Sequence, residues 1–314
     1  MWRIVVHRVA IALPTLVLVS MLVFGLQKML PGDPVLALAG EDQDPHFIAT
    51  LRHQYRLDRP LPVQYVLWVG DLLHGNLGTS LRTGVPVSTL IAQKLPVTLQ
   101  LATFAMAIAI VIGITAGVLA AANRGRMLDH AANIFALSGM SVPNFWLGIL
   151  LILVVSVHWH WLPSSGYVSP REDVWQSVKT MIMPAFVLGA ALGAQLMRHT
   201  RSAMLTVLRA DYVRTARAKG LPRATVVVKH AFRNAMIPIV TVLALLFGEL
   251  LAGAVLTEQV FTIPGFGKLI VDAVFSRDYA VVQGVVLVIA LSYISVNLVA
   301  DIVYVLLNPK LRRR

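Results

Sequence analysis

Residues 95–123 read LPVTLQLATFAMAIAIVIGITAGVLAAAN, with no ionisable side chain between Lys94 and Arg124. A helix rises about 1.5 Å per residue, so roughly 20 apolar residues cross a hydrocarbon core about 30 Å thick. Residues 95–123 exceed that length. Backbone in hydrocarbon must satisfy its own hydrogen bonds, which leaves helices and closed barrels. Five more charge-poor stretches follow the same pattern: 9–27, 131–157, 180–197, 234–257 (interrupted only by Glu249) and 279–300. Their alternation is too weak for barrel strands. The expectation is an all-α integral membrane protein with six transmembrane helices.

Composition agrees. Of 314 residues, 57% are hydrophobic and 13% charged, and there is no cysteine. Soluble domains carry about 25% charged residues. Disordered chains are poor in apolar residues, and a chain without cysteine has neither a disulfide framework nor a Cys-based metal centre. Arg3 and Arg8 precede the first apolar stretch, as in a signal peptide. The stretch is longer than a signal core, however, and Lys28-Met29-Leu30-Pro31 offers no small-residue cleavage site, so it reads as a retained helix.

Lys and Arg in the loops set orientation. With the first residues cytoplasmic, 17 of the 27 basic residues fall inside, nine of them between Arg198 and Arg233, while 11 of the 15 acidic residues fall outside. Both termini are then cytoplasmic. The net charge of +12 is largely a topology signal and needs no nucleic acid to explain it. The organisation expected is an N-terminal transmembrane helix (1–30), an extracytoplasmic segment (31–94), a core of five transmembrane helices (95–307) and a basic cytoplasmic tail (308–314).

Pro31-Gly32-Asp33-Pro34 marks a turn, and residues 45–55 suit a short helix. The segment serves as a small cap or as a passive connector. His158-Trp159-His160-Trp161 suits an aromatic belt at the membrane interface rather than a metal site, since His residues two apart do not share a helix face. Within 198–238, Met204, Leu208, Tyr212 and Ala216 recur every four residues, with Arg201, Arg209 and Arg217 among them. That pattern predicts an amphipathic helix continuing the fourth span into the cytoplasm. Gly220 suits the left-handed residue that ends it and Pro222 follows. Residues 223–233 suit a second short helix before re-entry near Pro238. The alternative reading is a basic surface helix held by anionic lipid.

No phosphate-binding G-x-x-x-x-G-K-[ST] occurs; Gly265-Phe266-Gly267-Lys268 is followed by Leu269. Neither H-E-x-x-H nor G-x-S-x-G is present. Glu249 and Asp301 are the carboxylates within or bordering the spans. Glu249 either lines a path or is paired within the fold. A membrane protein with a stiff cytoplasmic protrusion and no nucleotide site suggests force delivered by a partner.

Asp211-Tyr212-Val213-Arg214-Thr215-Ala216-Arg217-Ala218-Lys219-Gly220, continued by His230-Ala231-Phe232-Arg233-Asn234-Ala235-Met236-Ile237-Pro238, resembles the cytoplasmic coupling loop of binding-protein-dependent ABC importers. The general pattern there is E-A-A, three residues, then G. The Glu is absent here, as is typical of the di-/oligopeptide and nickel branch. Leu30-Pro31-Gly32-Asp33-Pro34, Pro96-Val97-Thr98-Leu99, Val260-Phe261-Thr262-Ile263-Pro264-Gly265-Phe266-Gly267, Arg277-Asp278-Tyr279 and Asn308-Pro309-Lys310 fit the first permease subunit of that branch.

The resemblance implies a type I ABC importer permease in the cell (inner) membrane, with no catalytic residue, cofactor or metal of its own. The implied partners are a second, paralogous permease, two ATPase subunits, an extracytoplasmic binding protein and membrane lipid. Within a coupling loop spanning 199–235, Asp211, Tyr212, Arg214, Thr215, Ala216, Arg217, Ala218, Lys219 and Gly220 would engage an ATPase. Small Ala216 and Ala218 would allow close approach, and Arg214, Arg217 and Lys219 would meet acidic groups. Polarity alone suggests Gln195, Glu249 and Asn297 for the pathway. The cargo would be dipeptides, oligopeptides or a related small solute. A competing expectation is a stand-alone ion-coupled carrier using Glu249 and Asp301. A third is a membrane enzyme built on His158, His160 and Glu172.

Overall fold

A computed structural model of the protein describes residues 2–28, 35, 44–54 and 56–307, with the side chains at 2–9, 27, 251–253, 300, 301 and 303–307 set aside. The turn expected at 31–34 and the basic tail expected at 308–314, with its Asn308-Pro309-Lys310 motif, lie outside the described residues. Among the described residues the fold is helical, with a single isolated bridge between Thr79 and Pro86.

Two long helices form its centre: α4 (Val87–Ala122) and α7 (Val174–Leu208). They run parallel, because contacts advance together along both. Gly189 of α7 lies against Ala105 and Ile108 of α4, Gly113 of α4 against Leu196, and Gly117 against Thr200. Both helices carry a Gly four residues before another, Gly113 and Gly117 on one and Gly189 and Gly193 on the other. A Cβ at Gly117 would stand 2.8 Å from the Met197 carbonyl, and one at Gly189 would stand 2.7 Å from the Ala105 carbonyl. In lipid, burying apolar surface between helices gains little, so close backbone approach through small residues supplies the contact. Leu101, Ala105, Met181 and Leu196 complete the buried seam, and Ile239 and Leu246 of α10 (Arg233–Gly253) join it.

Among the described residues, four helical stretches are long and apolar enough to cross a membrane: Val87–Ala122, Val174–Leu208, Arg223–Leu250 and Tyr279–Val299. The first three of these are longer than the charge-free runs 95–123, 180–197 and 234–257. Lys94 lies inside α4 and Lys179 and Arg198 inside α7, because long cationic side chains at helix ends reach toward water. Asp173 caps α7, its carboxylate accepting from the N–H groups of Trp175 (2.8 Å) and Gln176 (3.0 Å).

The stretch 131–157 is not one straight helix. It divides into α5 (Met127–Ser141) and α6 (Asn144–Leu151), the latter continuing as a wider turn over Ile152–His158, with a 98° bend between the two halves. Pro143 lacks an N–H and drives Val142 into extended backbone at φ −81°, ψ 122°. Since α4 and α7 run parallel, this bent pair carries the chain back to the end where α7 begins. Trp159 and Trp161 follow it, stacked at 4.5 Å and largely exposed.

Helix α1 (Trp2–Lys28) packs beside the final helix, α13 (Tyr279–Leu307). The segment after it holds α2 (Pro45–Gln54) and α3 (Leu61–Leu73). Tyr65 of α3 meets Ser20 of α1 through hydroxyls 2.8 Å apart, Lys28 donates to Gln64 at 2.7 Å, and Phe24, Tyr65 and Trp68 form an aromatic cluster. This segment is built onto the bundle rather than strung between helices.

Candidate functional site

The loop after α7 departs from the expected continuous helix. α7 stops at Leu208, Ala210 is extended (φ −68°, ψ 149°), and α8 (Asp211–Ala218) starts afresh. The break advances the buried face by one position. Met204 is fully buried, but Tyr212 is 44% exposed, and Val213 takes its place beside Ala216, Leu208 and Val226. The four-residue repeat thus continues in sequence while the helix does not.

The end of α8 is as expected. Gly220 adopts φ +76°, its N–H donates to the Arg217 carbonyl at 2.9 Å, and the Leu221 N–H donates to Ala216 at 3.4 Å. These two bonds satisfy carbonyls left open at a helix end, and glycine takes the left-handed position without Cβ strain. The chain then does not form a separate short helix. Α continuous helical path runs from α9 (Arg223–Thr225) through a wide-turn stretch, Val226–Phe232, into α10, with Pro238 inside it.

The nine candidate residues of α8 and its cap divide between two faces. Asp211, Tyr212, Arg214, Thr215, Ala218, Lys219 and Gly220 are exposed. Ala216 is turned inward and is 6% exposed, so it packs α8 onto its own fold and Ala218 alone is the small outward residue. Arg214 sits 3.6 Å from Asp211 on the same helix. Arg217, though exposed, borders a cleft beneath α8.

Just before α8, Arg201 of α7 grips Asp129 of α5 in two hydrogen bonds of 2.6 and 2.9 Å. Asp129 also accepts from the Gly125 N–H at 3.0 Å and from Asn133 at 3.1 Å. Two parallel N–H···O bonds fix both distance and angle. They join the α4–α5 turn to the helix that leads into α8.

Gln195 of α7 and Glu249 of α10 come together on one open cavity of about 320 Å³ at the α5–α6 bend, beside Asn144 and Pro143. The Glu249 side chain is exposed there and makes no hydrogen bond or ion pair with a described residue. Asn297 lies apart on α13, where it donates to the Tyr293 carbonyl of its own helix at 3.0 Å. The Asp301 side chain is among those set aside.

Two buried carboxylates at the opposite end of α4 escape a reading based on charge-free runs. Glu258 of α11 (Val255–Val260) is fully buried. It accepts from the Thr98 hydroxyl at 2.5 Å and the Lys268 N–H at 2.8 Å, while Thr98 in turn accepts from the Phe266 N–H at 2.7 Å. A Cβ on Gly265 would lie 2.4 Å from the Glu258 carboxyl carbon, so only glycine leaves room for it. Asp278, before α13, accepts from the Ser80 hydroxyl at 2.5 Å and the Leu81 N–H at 3.2 Å. The motifs around Thr98, Gly265 and Asp278, far apart in sequence, are thus halves of two polar junctions. Among the described residues, no three potential metal-ligating side chains gather anywhere.

Comparison with known proteins gives a consistent result. The chain is 43% identical over 338 residues to the dipeptide transport system permease protein DppB of Escherichia coli K12, covering 100% of both chains. It is 44% identical over 331 residues to the di/tripeptide transport system permease protein DppB of Pseudomonas aeruginosa, covering 99% of this chain and 98% of that one. A chain of the MetNI methionine ABC transporter, solved in inward facing conformations, shares the fold with a TM-score of 0.56 at 18% identity, over 70% of this chain and 96% of that one. The two DppB relatives are permease proteins of transport systems, which speaks against the stand-alone carrier. The model of the N-terminal membrane component of binding-protein-dependent transport systems matches residues 1–102, and the main model of those components matches residues 113–313. With the helical bundle and the loop already described, these matches place the chain in the family of binding-protein-dependent transport system inner membrane components.

Proposed function

We propose that the chain is one of two permease subunits forming the translocation pathway of an ATP-driven importer for dipeptides, oligopeptides or a related small solute. The observation that carries this is full-length likeness to dipeptide and di/tripeptide permeases. Six membrane crossings are proposed: the four long stretches, the bent α5–α6 pair and α1. The loop charges favour both termini in the cytoplasm, and the family assignment supports residence in the inner membrane. An extracytoplasmic binding protein delivers the cargo, and ATP is hydrolysed on two separate ATPase subunits.

In this reading α8 is the coupling helix. Tyr212, Arg214, Thr215, Ala218 and Lys219 face an ATPase groove, while Val213 and Ala216 fasten the helix to the bundle. Asp211 starts the helix and Gly220 ends it, which makes a short rigid lever. ATP-driven closure of the ATPase pair displaces the lever. The Arg201–Asp129 clamp passes that displacement to the α4–α5 turn and on to the bend at Pro143. A ligand-biased two-state element of this kind turns the pathway from one side to the other. Gln195 and Glu249, at the bend, border the path; Asn297 is not part of that cavity.

Affinity purification from the native membrane in mild detergent tests the assembly. A second six-span permease and nucleotide-binding subunits are expected to accompany the chain. Gly220→Pro and Lys219→Glu are expected to abolish or uncouple peptide uptake while leaving the chain in the membrane. Normal uptake in both variants, or a chain that purifies alone across several salt concentrations, would refute the coupling role of α8.

A further inference from the structure

The last turns of α4 and α7 and the inner side of α8 enclose a cleft of about 520 Å³. Four arginines border it: Arg124 after α4, Arg209 after α7, Arg217 on α8 and Arg223 on α9. Among the described residues no carboxylate lines it, and its apolar surface includes Leu205 and Leu221. Arg223 donates to the Ala122 carbonyl. The guanidinium groups of Arg124, Arg209 and Arg217 make no hydrogen bond or ion pair with any described residue. Arg201, nearby on α7, is by contrast engaged by Asp129.

Four like charges around one concavity repel, and more strongly as water is excluded. A multivalent oxygen anion relieves that repulsion. Guanidinium forks match phosphate oxygens in pairs, which a single carboxylate cannot satisfy fourfold. The apolar surface adds a second requirement, since free phosphate gains nothing from Leu205 or Leu221 whereas a glycerol–acyl junction does. The level is also right: the cleft opens where the charge-free run 95–123 gives way to Arg124. Basic pockets between transmembrane helices at the cytoplasmic edge suit anionic headgroups.

We propose that this cleft binds the phosphate headgroup of an anionic phospholipid from the adjacent leaflet, bridging the end of α4 to α8. Binding is independent of the transport reading. Its consequence rests on that reading: a lipid held between Arg124 and Arg217 stiffens the coupling helix against the bundle, so ATPase coupling depends on anionic lipid.

The test uses the complex extracted from its native membrane, stripped of lipid with detergent and titrated with phosphatidylglycerol or phosphatidylcholine. Bound lipid is counted by native mass spectrometry. Arg124→Gln/Arg209→Gln is compared with the parent, and thermal unfolding confirms that it is folded. Each basic residue removed is expected to weaken phosphatidylglycerol binding about fivefold at low ionic strength, so the pair loses roughly 25-fold while phosphatidylcholine binding is unchanged. Arg124→Lys/Arg209→Lys keeps the charge and is expected to fall between the two. Equal phosphatidylglycerol binding by parent and Gln variant overturns the site. Complete displacement of lipid by millimolar inorganic phosphate overturns the lipid assignment in favour of a free anion. Loss of an ATPase subunit from the Gln variant with lipid binding intact overturns it in favour of a partner protein's acidic side chain. Intact lipid binding behaviour with no effect on ATPase activity would remove the coupling consequence and leave the site.

Discussion

The two ends of α4 are built on opposite electrostatic terms. Around Thr98, carboxylates are buried and held by donors: Glu258 takes Thr98 and the Lys268 N–H, and Asp278 takes Ser80 and the Leu81 N–H. Around Ala121, roughly 35 Å along the helix at about 1.5 Å per residue, three arginines stand in a cleft without a described counter-charge. A buried charge with its donors in place is a fixed joint, because any movement leaves an unsatisfied group in a medium that cannot solvate it. An exposed, unpaired set of charges can exchange partners at little cost. One end is suited to hold the helices in place, and the other to receive something that comes and goes.

The largest expected effect breaks the fixed end. Glu258→Ala strands the Lys268 N–H and the Thr98 hydroxyl, which are deprived of a buried acceptor, and is expected to destabilise the solubilised protein by about 2–4 kcal/mol. Gly265→Ala drives a methyl into the same carboxyl and is expected to act in the same direction. Thermal unfolding in detergent measures both, and parent-like melting of either variant would dissolve the contrast.

Next comes the clamp that separates the two regimes at the cleft end. Asp129→Ala frees Arg201, whose side chain remains 26% exposed and can partly rehydrate. The expected loss is therefore smaller, about 1–3 kcal/mol. In the transport reading it also lowers uptake per ATP hydrolysed, a ratio that a purely structural loss leaves unchanged.

The cleft arginines should behave in the other sense. Arg124→Gln/Arg209→Gln is expected to change stability by less than about 0.5 kcal/mol in uncharged detergent, with a small gain favoured by reduced repulsion. A loss comparable with that of Glu258→Ala would show that these groups have fixed partners after all.

Helix ends sharpen the contrast further. α8 ends on Gly220, whereas α11 and α12 (Phe266–Phe275) end on Thr262 (φ 52°) and Arg277 (φ 56°) in the same left-handed position. Thr262→Gly is expected to relieve about 1 kcal/mol, and Gly220→Ala to cost about as much at α8. Unfolding midpoints of the two variants should move in opposite directions.

The smallest effect belongs to an exposed carboxylate. His53 donates or shares a hydrogen bond with Asp58 at 2.9 Å and holds its carboxyl below the usual range. The contribution is present above that range and lost as pH falls through the lowered value. Asp58→Asn should remove that acid dependence, which a pH series of melting temperatures would show as a slight flattening.

Charge-free length and loop charge were enough to read membrane helices, their approximate positions and the loop that bears α8, because exclusion of charge from hydrocarbon is a local property of the chain. Gly220 and Pro222 marked the end of α8 for the same reason: left-handed backbone and a missing N–H act where they stand. The bend at Pro143 was legible in principle, but a count of charges does not register a proline. The paired glycines of α4 and α7 also stood in the sequence, each four residues apart, while their mutual fit did not. Tertiary structure alone decided that Thr98 meets Glu258, that Ser80 meets Asp278, that Gln195 and Glu249 share a cavity and that Arg217 turns beneath α8. Each of these joins residues remote in sequence, and their energy comes from mutual desolvation, which no single segment possesses before the helices pack.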